Sequence, residues 1–365
     1  MPELRHLSCS MQRLLFPALE EELGPLTGPQ RDFLRTIELA RLERFMLPCL
    51  WMGIGCKPGL RLPLAKAFIA KSIWNLPIPS GRIEQLKGNP SLRRLCGGEA
   101  RGDVPSESTF SRAFAAFAAG KLPEAVHAAL VAEQLQGRIV GHVSRDSTAI
   151  ESRERAAPKP QEEPKAAARK RGRPRKDEPP RPVPPPTRLE LQPLRSLEEN
   201  LVDLPRHCDS GCKRDAKGYK MTWNGDKLHL DCAAGDIPVG ALLTSASLHD
   251  SQAAIPLAQR TARCVTSRYD LMDSAEDCQA IRNHSRHLGH GPLIDSNPRP
   301  GEARKFSPAE RIRYRERPTA ERVNSNRKDN FGGRFVRVRG ALKVMCHLMF
   351  GVLALTALPL FHLLE

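Results

Sequence analysis

The sequence predicts a mixed α/β protein that begins with a helical region. Three observations indicate this class. Apolar side chains recur at helical spacing within residues 1–135, as in Phe110, Phe114 and Phe117, which we interpret as core residues. From residue 136 onward, short β-branched segments alternate with turns and with further helical segments. A long stretch rich in Pro and in basic residues separates the first of these strands from the rest.

A second apolar stripe in the helical region includes Ala65, Phe68 and Ile69. These positions recur at the period of an α-helix, so we expect them to face the core. Lys66 and Lys71 fall on the opposite side of the same predicted helix. We therefore expect both lysines to lie on the solvent side.

The chain is strongly basic. It has 365 residues, about two ordinary domains, and its 57 Lys and Arg against 41 Asp and Glu give a formal net charge of +16. Such a surplus favours polyanionic partners, because each phosphate that a cation neutralises releases counterions. The sequence contains no P-loop, no H-E-x-x-H and no G-x-S-x-G motif, which argues against P-loop ATPases, zincins and serine hydrolases.

The cellular compartment is predicted from three features. The N-terminal segment carries no apolar run long enough for a signal peptide, and the ten cysteines are scattered. We therefore expect reduced thiols and a cytoplasmic protein. Residues 348–364 lack Lys, Arg, Asp and Glu, but these 17 residues include Pro359 and His362 and are slightly too short for a membrane span. We expect a buried terminal helix and no membrane partner.

The predicted domain organisation has four parts. Residues 1–135 form the helical region, residues 136–150 the first strand of a second domain, residues 151–210 a Pro-rich, basic and disordered insertion, and residues 211–365 the remainder of that domain. Within the insertion, residues 151–188 hold ten Pro and twelve Lys or Arg against six Asp or Glu. A segment with so few large apolar side chains buries too little surface to offset its chain entropy, so we expect it to be disordered.

Two predicted strands of the second domain end in an acidic residue. The β-branched segment 137–146 ends at Asp146, and the segment 268–273 ends at Asp273. Because open α/β sheets place their chemistry at the carboxyl ends of strands, both acids are candidate site residues. The other predicted elements are two strands within 227–247 joined by a turn at Gly235 and Asp236, a short strand at 292–295, and a helical tail from about 308 to 365 interrupted near Gly332, Gly333 and Gly340.

A basic segment near the end of the sequence carries a third candidate acid. Residues 299–340 contain 13 Lys or Arg against five Asp or Glu. A set of four residues within it is separated by 3, 4 and 7 positions, spacings that return to one face of an α-helix: Tyr314, Arg317, Glu321 and Lys328. With the proline after Arg317 as the first helical residue, Glu321 lies in the first turn. A lone carboxylate among cations suits a divalent metal ion beside phosphates, although Arg317 and Glu321 alone would also make an ordinary i, i+4 ion pair.

This spacing, Y-x2-R-x3-E-x6-K, resembles the signature around the catalytic Glu of bacterial insertion-sequence transposases of the DDE class. Two further motifs of that family are matched in order. Asp146 stands in a D-S-T context, as the first family acid does, and Asp273 stands in a D-x-A-x-D context, as the second does. The resemblance covers roughly residues 100–360, and the segment F-G-G-R-F-V-R-V-R-G after the signature belongs to it.

The resemblance implies a ribonuclease H-like catalytic domain and a metal-dependent reaction on DNA. Asp146, Asp273 and Glu321 are then the catalytic residues and the ligands of Mg²⁺ or Mn²⁺. Carboxylate oxygens suit these hard ions, and two such ions can activate the attacking oxygen and stabilise the leaving oxygen of a phosphodiester. Asp270 and Asp277 remain rivals of Asp273 for the second role. By the same resemblance, the residues that contact DNA near the cut end are Tyr314, Arg317 and Lys328.

A second DNA-binding motif lies in the insertion. The basic core at 170–176 is similar to an AT-hook, in which an extended Arg-Gly-Arg-Pro segment enters the narrow minor groove of A·T-rich DNA. A generic basic linker is an equally open interpretation. The residues that would make this auxiliary contact are Arg171, Gly172, Arg173, Pro174 and Arg175.

The predicted function is that of a DNA transposase. It would bind the inverted-repeat ends of an insertion sequence with its helical N-terminal region, cut them, and join the freed hydroxyls to target DNA. Its expected partners are double-stranded DNA and further copies of the chain, as a homodimer or larger synaptic complex associated with the nucleoid. A nuclease of the same fold and a non-catalytic or decayed DNA-binding protein remain alternatives. A zinc site is a further open alternative, with the ligands Cys208, Cys212, His229 and Cys232.

Overall fold

A computed structural model describes residues 2–46, 61–135, 137–158, 185–214, 217–296 and 305–362. In this described part, the chain forms an N-terminal helical region and a mixed α/β region, which confirms the predicted class. Residues 159–184 of the predicted insertion lie outside the described residues. So does the whole AT-hook-like core, with Arg171, Gly172, Arg173, Pro174 and Arg175.

The N-terminal region is helical, as predicted. The ring of Phe68 contacts those of Phe114 and Phe117, with centroid separations of 4.9 and 6.2 Å, so the predicted core role of these phenylalanines is confirmed. The prediction for Lys71 is wrong, because this lysine is buried against the core rather than exposed to solvent. The helices are α1 (Pro2–Ser10), α2 (Phe16–Leu23), α3 (Gly28–Ala40), α4 (Arg61–Ile73), α5 (Pro79–Gly88), α6 (Pro90–Leu95), α7 (Glu107–Ala119) and α8 (Leu122–Leu135).

One mixed sheet forms the centre of the second region. Its strands are β1 (Ile139–Glu151), β2 (Asp209–Arg214), β3 (Lys220–Ala233), β4 (Ile237–Ser245), β5 (Thr266–Met272) and β6 (Gly291–Ile294). Strand β1 is antiparallel to β3 on one side and parallel to β5 on the other, and β6 extends the parallel side. The outer edge of β3 pairs with β2 along its first half and with β4 along its second half. The sheet is therefore antiparallel on one side of β1 and parallel on the other.

Helices cover both faces of this sheet. They are α9 (Arg188–Leu191), α10 (Leu197–Asp203), α11 (Ser251–Ala262), α12 (Gln279–His287), α13 (Pro308–Tyr314), α14 (Thr319–Asn330) and α15 (Ala341–His362). Helices α14 and α15 contact one face, and α11 contacts the other. The predicted interruptions of the helical tail are confirmed, since α14 ends before Gly332 and α15 begins after Gly340. Pro318 was predicted to be the first residue of α14. The helix begins one residue later, at Thr319, so Pro318 is the residue just before it.

Strand β1 is longer than predicted. It continues five residues beyond Asp146 to Glu151, so Asp146 lies within the strand rather than at its end. The reason is the antiparallel ladder with β3, in which Ser147 pairs with His229 and Glu151 pairs with Gly225. The predicted hairpin that supplies this ladder is confirmed, with its turn at residues 235 and 236. A strand whose partner lies far along the chain gives no local signal of its length.

The predicted disorder of residues 151–210 is wrong wherever this range is described. Helices α9 and α10 and the start of β2 lie within it. Leu201 and Leu204 of this segment contact Leu248 and Leu257, which lie beside and within α11. Each short helix also begins with a capping box, in which a Ser or Thr side chain and a Glu three residues later satisfy each other's backbone N–H groups. Burial of a few leucines and these caps order a segment whose overall composition indicates disorder.

Helix α15 lies between the helical region and the sheet. Among the described residues, α15 is the only individual helix that is long and apolar enough to cross a membrane. Of its most apolar 18-residue stretch, 89% is buried inside the protein. Leu348 and Val352 belong to the core beneath the sheet, whereas Phe350 and Leu353 belong to the core of the helical region. Phe350 stacks on Phe68 of α4 with a centroid separation of 5.5 Å. The predicted buried terminal helix is therefore confirmed.

A buried ion pair fixes the face of the sheet that α11 covers. The Arg145 guanidinium donates two hydrogen bonds to the Asp231 carboxylate, both of 2.8 Å. The Thr261 hydroxyl of α11 donates a third, of 2.6 Å, to the same carboxylate. Because neighbouring residues of a strand point to opposite faces, Arg145 points away from the face that carries Asp146.

Breaking this pair should destabilise the protein strongly. In Asp231→Asn, Arg145 stays buried without its counter-ion, so we expect the free energy of unfolding to fall by about 3–5 kcal/mol. Urea denaturation measures the loss. The matched control is Asp236→Asn, which removes an exposed ion pair with Arg322 of 2.9 Å and should cost less than about 1 kcal/mol. Equal losses in the two variants would contradict the structural role of the buried pair.

Candidate active site

The first two acids of the site lie side by side on neighbouring strands. The last residue pair of the parallel β1–β5 ladder is Ser144 with Leu271. Two residues farther along each chain, Asp146 and Asp273 reach the same level, on strands that are about 4.8 Å apart. The register of one parallel ladder thus brings together two carboxylates that are distant in sequence.

The segment before α14 is fixed to the same two strands. The Ser144 hydroxyl of β1 donates a hydrogen bond to the Arg317 carbonyl. The Tyr314 hydroxyl donates to the carbonyl of Met272, the last residue of β5, at 3.0 Å. Glu321 follows in the first turn of α14, as predicted. These contacts hold the start of α14 beside the two aspartates.

One guanidinium joins the three carboxylates. Arg317 Nη2 lies 3.3 Å from Asp146 Oδ1 and 3.2 Å from Asp273 Oδ2. Arg317 Nη1 forms an ion pair with Glu321. The predicted i, i+4 pair therefore exists, but it is one part of a larger contact, because the same side chain reaches both aspartates. The arginine side chain is only 14% exposed, so water screens these contacts less than it would at the surface.

Asp146 is the most buried of the three acids. Burial raises its pKa above the usual value, and the negative charge of Asp273 acts in the same direction. The Arg317 guanidinium, the side chain of Asn324 and the positive charge of Lys213 oppose this rise. The Asn324 amide donates to Asp146 Oδ2 at 3.1 Å, so the second carboxylate oxygen is held by α14 while the first faces Arg317. Asp273 and Glu321 are both about half exposed.

A fourth acidic residue lies behind the triad. Glu276 is buried beside Asp273, and burial raises its pKa well above the ordinary value. Its hydrogen bond with Asp273 and the negative charge of Asp273 raise that pKa further. The raised pKa favours the protonated, uncharged form of Glu276 beside Asp273. The Ala275 N–H donates to Asp273 Oδ1 at 2.8 Å and fixes the same carboxylate from the backbone.

The two other residues of the signature, Tyr314 and Lys328, differ in whether their polar groups are free to contact a ligand. The Tyr314 hydroxyl is occupied by its bond to β5, which makes it a positioning group for the segment before α14. Lys328 lies farther along α14 and is half-buried, and burial together with the positive charges of Arg327 and Lys213 lowers its pKa. Within the described residues, Lys328 forms no ion pair. Its charge is therefore available to an anionic ligand beside Asp146, whose carboxylate raises the pKa of Lys328.

The rivals for the second acid lie elsewhere. Asp270 is buried on the other side of β5 and contacts His290 at 3.1 Å. Asp277 forms an ion pair of 2.7 Å with Arg282. Neither of them contacts the guanidinium that joins the triad, whereas Asp273 does. The structure therefore groups Asp273 with Asp146.

Three residues of the site were not predicted: Asn324, Glu276 and Lys213. Asn324 lies three positions after Glu321 on the same face of α14, so its spacing was a usable signal. Glu276 lies inside the D-x-A-x-D motif that marks the second acid. Nothing in the local sequence of Lys213 indicates its place beside Asp146, because that proximity depends on the pairing of β2 with β3.

The carboxylates face a cation rather than one another. In the described part of the chain, no group of three or more His, Cys, Asp or Glu is placed so that it could hold a metal ion. This finding does not support the zinc alternative, and His229 instead contacts the Thr244 hydroxyl at 2.9 Å. Each of the three acids instead contacts the guanidinium of Arg317. The donor set itself, three carboxylates, is of the kind that hard divalent ions prefer.

Removing the shared cation should destabilise the protein in a pH-dependent way. In Arg317→Met the pKa of Asp146 should rise further, because the guanidinium no longer opposes burial. A carboxyl whose pKa is raised on folding costs stability once it ionises, so the loss should be largest at about pH 7 and should shrink as the pH falls toward 4. We expect a loss of about 1–2 kcal/mol at about pH 7, since two of the acids are half exposed.

Urea denaturation at both pH values measures this dependence. Arg322→Met is the matched control on the same helix, because Arg322 pairs with a single exposed carboxylate, that of Asp236. We expect this control to lose less than about 1 kcal/mol. A loss in Arg317→Met that is the same at both pH values would contradict the role of Arg317 as the shared counter-ion.

Comparison with known proteins assigns no family to the chain. No protein-family model, no curated protein and no solved structure matches it. The functional interpretation therefore depends on the residues of the site and on their geometry.

Proposed function

We propose that this protein is a metal-dependent DNA transposase of the DDE class, which cuts the inverted-repeat ends of an insertion sequence and joins them to target DNA. One observation carries the proposal. Asp146, Asp273 and Glu321 come from β1, from the end of β5 and from α14, and their carboxylates meet at a single cation. Three acids are seldom brought to one cation without a function, because each costs stability when it is desolvated and lies near like charges.

The sheet supports a ribonuclease H-like catalytic domain. A central strand is antiparallel to a hairpin on one side and parallel to two further strands on the other. The first acid lies on the central strand, and the second follows the parallel neighbour of that strand. The third lies on a helix that covers the same face. This is the arrangement that the family resemblance implies for the three acids.

The same three carboxylates would hold Mg²⁺ or Mn²⁺. When bound, such ions stabilise the charge on the attacking and leaving oxygens of a phosphodiester. Asn324 and the Ala275 N–H prepare two of the ligands, because each holds a carboxylate oxygen through a hydrogen bond that carries no extra negative charge. The acids are therefore oriented before substrate binds, which reduces the reorganisation that the reaction requires.

Arg317 has a second use in this proposal. A guanidinium binds phosphate as well as carboxylate, with two parallel N–H···O bonds in either case. In the free protein it offsets part of the negative charge of the acids, and with DNA present it can transfer its hydrogen bonds to a phosphate next to the reacting bond. Lys328 and Lys213 lie close enough to Asp146 to affect pKa values at the site, and both can contact neighbouring phosphates. The net charge of +16 favours the same partner, double-stranded DNA.

Other parts of the proposal rest on sequence and chemistry. The helical N-terminal region binds the element end, and the AT-hook-like segment at 170–176 adds a contact in the minor groove. Two ends must be joined in one event, so the active form is a homodimer or a larger synaptic complex at the nucleoid.

Metal-dependent cleavage of a labelled inverted-repeat end, taken from DNA that flanks the gene, tests the proposal. In Asp146→Asn, Asp273→Asn and Glu321→Gln, we expect nicking to fall by at least about 10³-fold, because the interactions of a catalytic metal are worth several kcal/mol. DNA binding in EDTA should be unchanged in the same variants. Asp277→Asn is the matched control, since this acid pairs with Arg282 outside the triad, and it should keep its nicking activity.

The products distinguish the remaining alternatives. Joining of the cut end to a second DNA molecule is the expected result. Nicking without joining, lost in the triad variants, would favour the nuclease of the same fold. Salt-sensitive binding without nicking in any variant would refute the catalytic proposal and would favour a decayed or purely DNA-binding protein.

A further inference from the structure

A cavity of about 350 Å³ lies between the helical region and the last part of the chain. Helices α4, α5 and α7 form its floor. Its rim consists of residue 153, just beyond β1, residues 337–339, which precede α15, and Lys343 in the first turn of α15. No residue of the triad lines it. The cavity is therefore separate from the candidate active site.

Two buried cations form the floor of this cavity. Lys71 is 7% exposed and Arg82 is 4% exposed. The Arg82 guanidinium lies against two rings, 4.3 Å from the centroid of Phe68 and 4.1 Å from that of Phe110. The Nε atom of Arg82 is buried and has no hydrogen-bond partner within the described residues. Burial and the charge of Arg82 together lower the pKa of Lys71 to about 8.

The rim adds more positive charge. Four exposed cations line it, against a single acid, Glu107. Among the described residues, no cation of the floor or rim forms a salt bridge. The neighbouring His347 adds no charge, because burial and the proximity of Lys71 lower its pKa to about 3. The rim cations are Arg153, Arg337, Arg339 and Lys343.

Buried cations without an anion are costly, because the protein interior replaces their hydration poorly. A fold that places two of them at the bottom of an open cavity leaves a position where an anion would recover much of that cost. The rings of Phe68, Phe110 and Phe114 line the same space, so its wall is partly apolar. The rim cations extend the positive surface outward, where further phosphates of a strand would lie.

We propose that this cavity binds one nucleotide of a DNA strand, with its phosphate on Lys71 and Arg82. The inference rests on the proposed function, and it assigns to the junction of the two regions a DNA contact distinct from the active site. Arg153 on the rim of the cavity lies two residues beyond the end of β1, the strand that carries Asp146.

Binding of a labelled inverted-repeat duplex and of its single strands to the full-length protein in EDTA tests the proposal. We expect Lys71→Met to weaken DNA binding about tenfold. The slope of the logarithm of the binding constant against the logarithm of the salt concentration should fall in magnitude by about one, as expected for one lost phosphate contact. The unfolding temperature of the variant should not fall, because the substitution removes a buried unpaired charge and keeps the aliphatic stem. Lys66→Met on the same helix is the matched control, since it removes the same charge outside the cavity.

Several results would overturn the proposal. Equal binding by the Lys71→Met and Lys66→Met variants would do so. Inorganic phosphate or thymidine monophosphate could raise the unfolding temperature of the wild type and not that of Lys71→Met. If an oligonucleotide did not compete with that ligand, the cavity would be assigned to a free phosphate or nucleotide instead. The test is independent of catalysis, because it uses no divalent ion. If Lys71→Met loses DNA binding but the wild type does not nick DNA, the catalytic proposal is refuted and this DNA contact is retained. If the wild type nicks DNA but Lys71→Met binds DNA as well as the wild type does, this DNA contact is refuted and the catalytic proposal is retained.

Discussion

The contact of Arg317 with three carboxylates is the interaction on which the rest of the site depends. Like charges at this separation repel, and Asp146 is also desolvated. The cation between the acids offsets both the repulsion and part of the cost of burying Asp146. The backbone of the same arginine accepts a hydrogen bond from β1, so the residue that supplies the charge also fixes the segment that leads into α14. Charge balance and chain position are thus coupled at one residue.

The architecture around β1 explains why such distant residues meet. One face of this strand carries Ser144 and Asp146 toward α14, and the other carries Arg145 toward Asp231 and α11. A displacement of β1 by one residue would exchange these faces, placing the buried arginine in the site and Asp146 in the opposite core. The buried ion pair therefore protects the register of the site although it lies on the other side of the sheet.

Much of the site could be predicted from sequence, because spacing along a helix and the ends of β-rich segments are local signals. Glu321 in the first turn of α14 and Asp273 after β5 follow from such signals. The length of β1 and the place of Lys213 depend on pairing with β3, which no local pattern reveals. Lys71 was predicted to be exposed because a lysine next to an apolar stripe usually is, and its burial follows from the way that α15 and the loop before it close over α4.

Helix α15 has a consequence for the order in which the protein is made. Its residues complete the core of the helical region and also the core beneath the sheet, although more than two hundred residues separate it from α8. A ribosome therefore releases most of the chain before either core can close. Until then, apolar surfaces of both regions remain uncovered, and such intermediates are prone to aggregate and to engage chaperones. A product truncated before α15 would leave both cores incomplete at once, so we expect cells to degrade it as misfolded protein rather than to accumulate it.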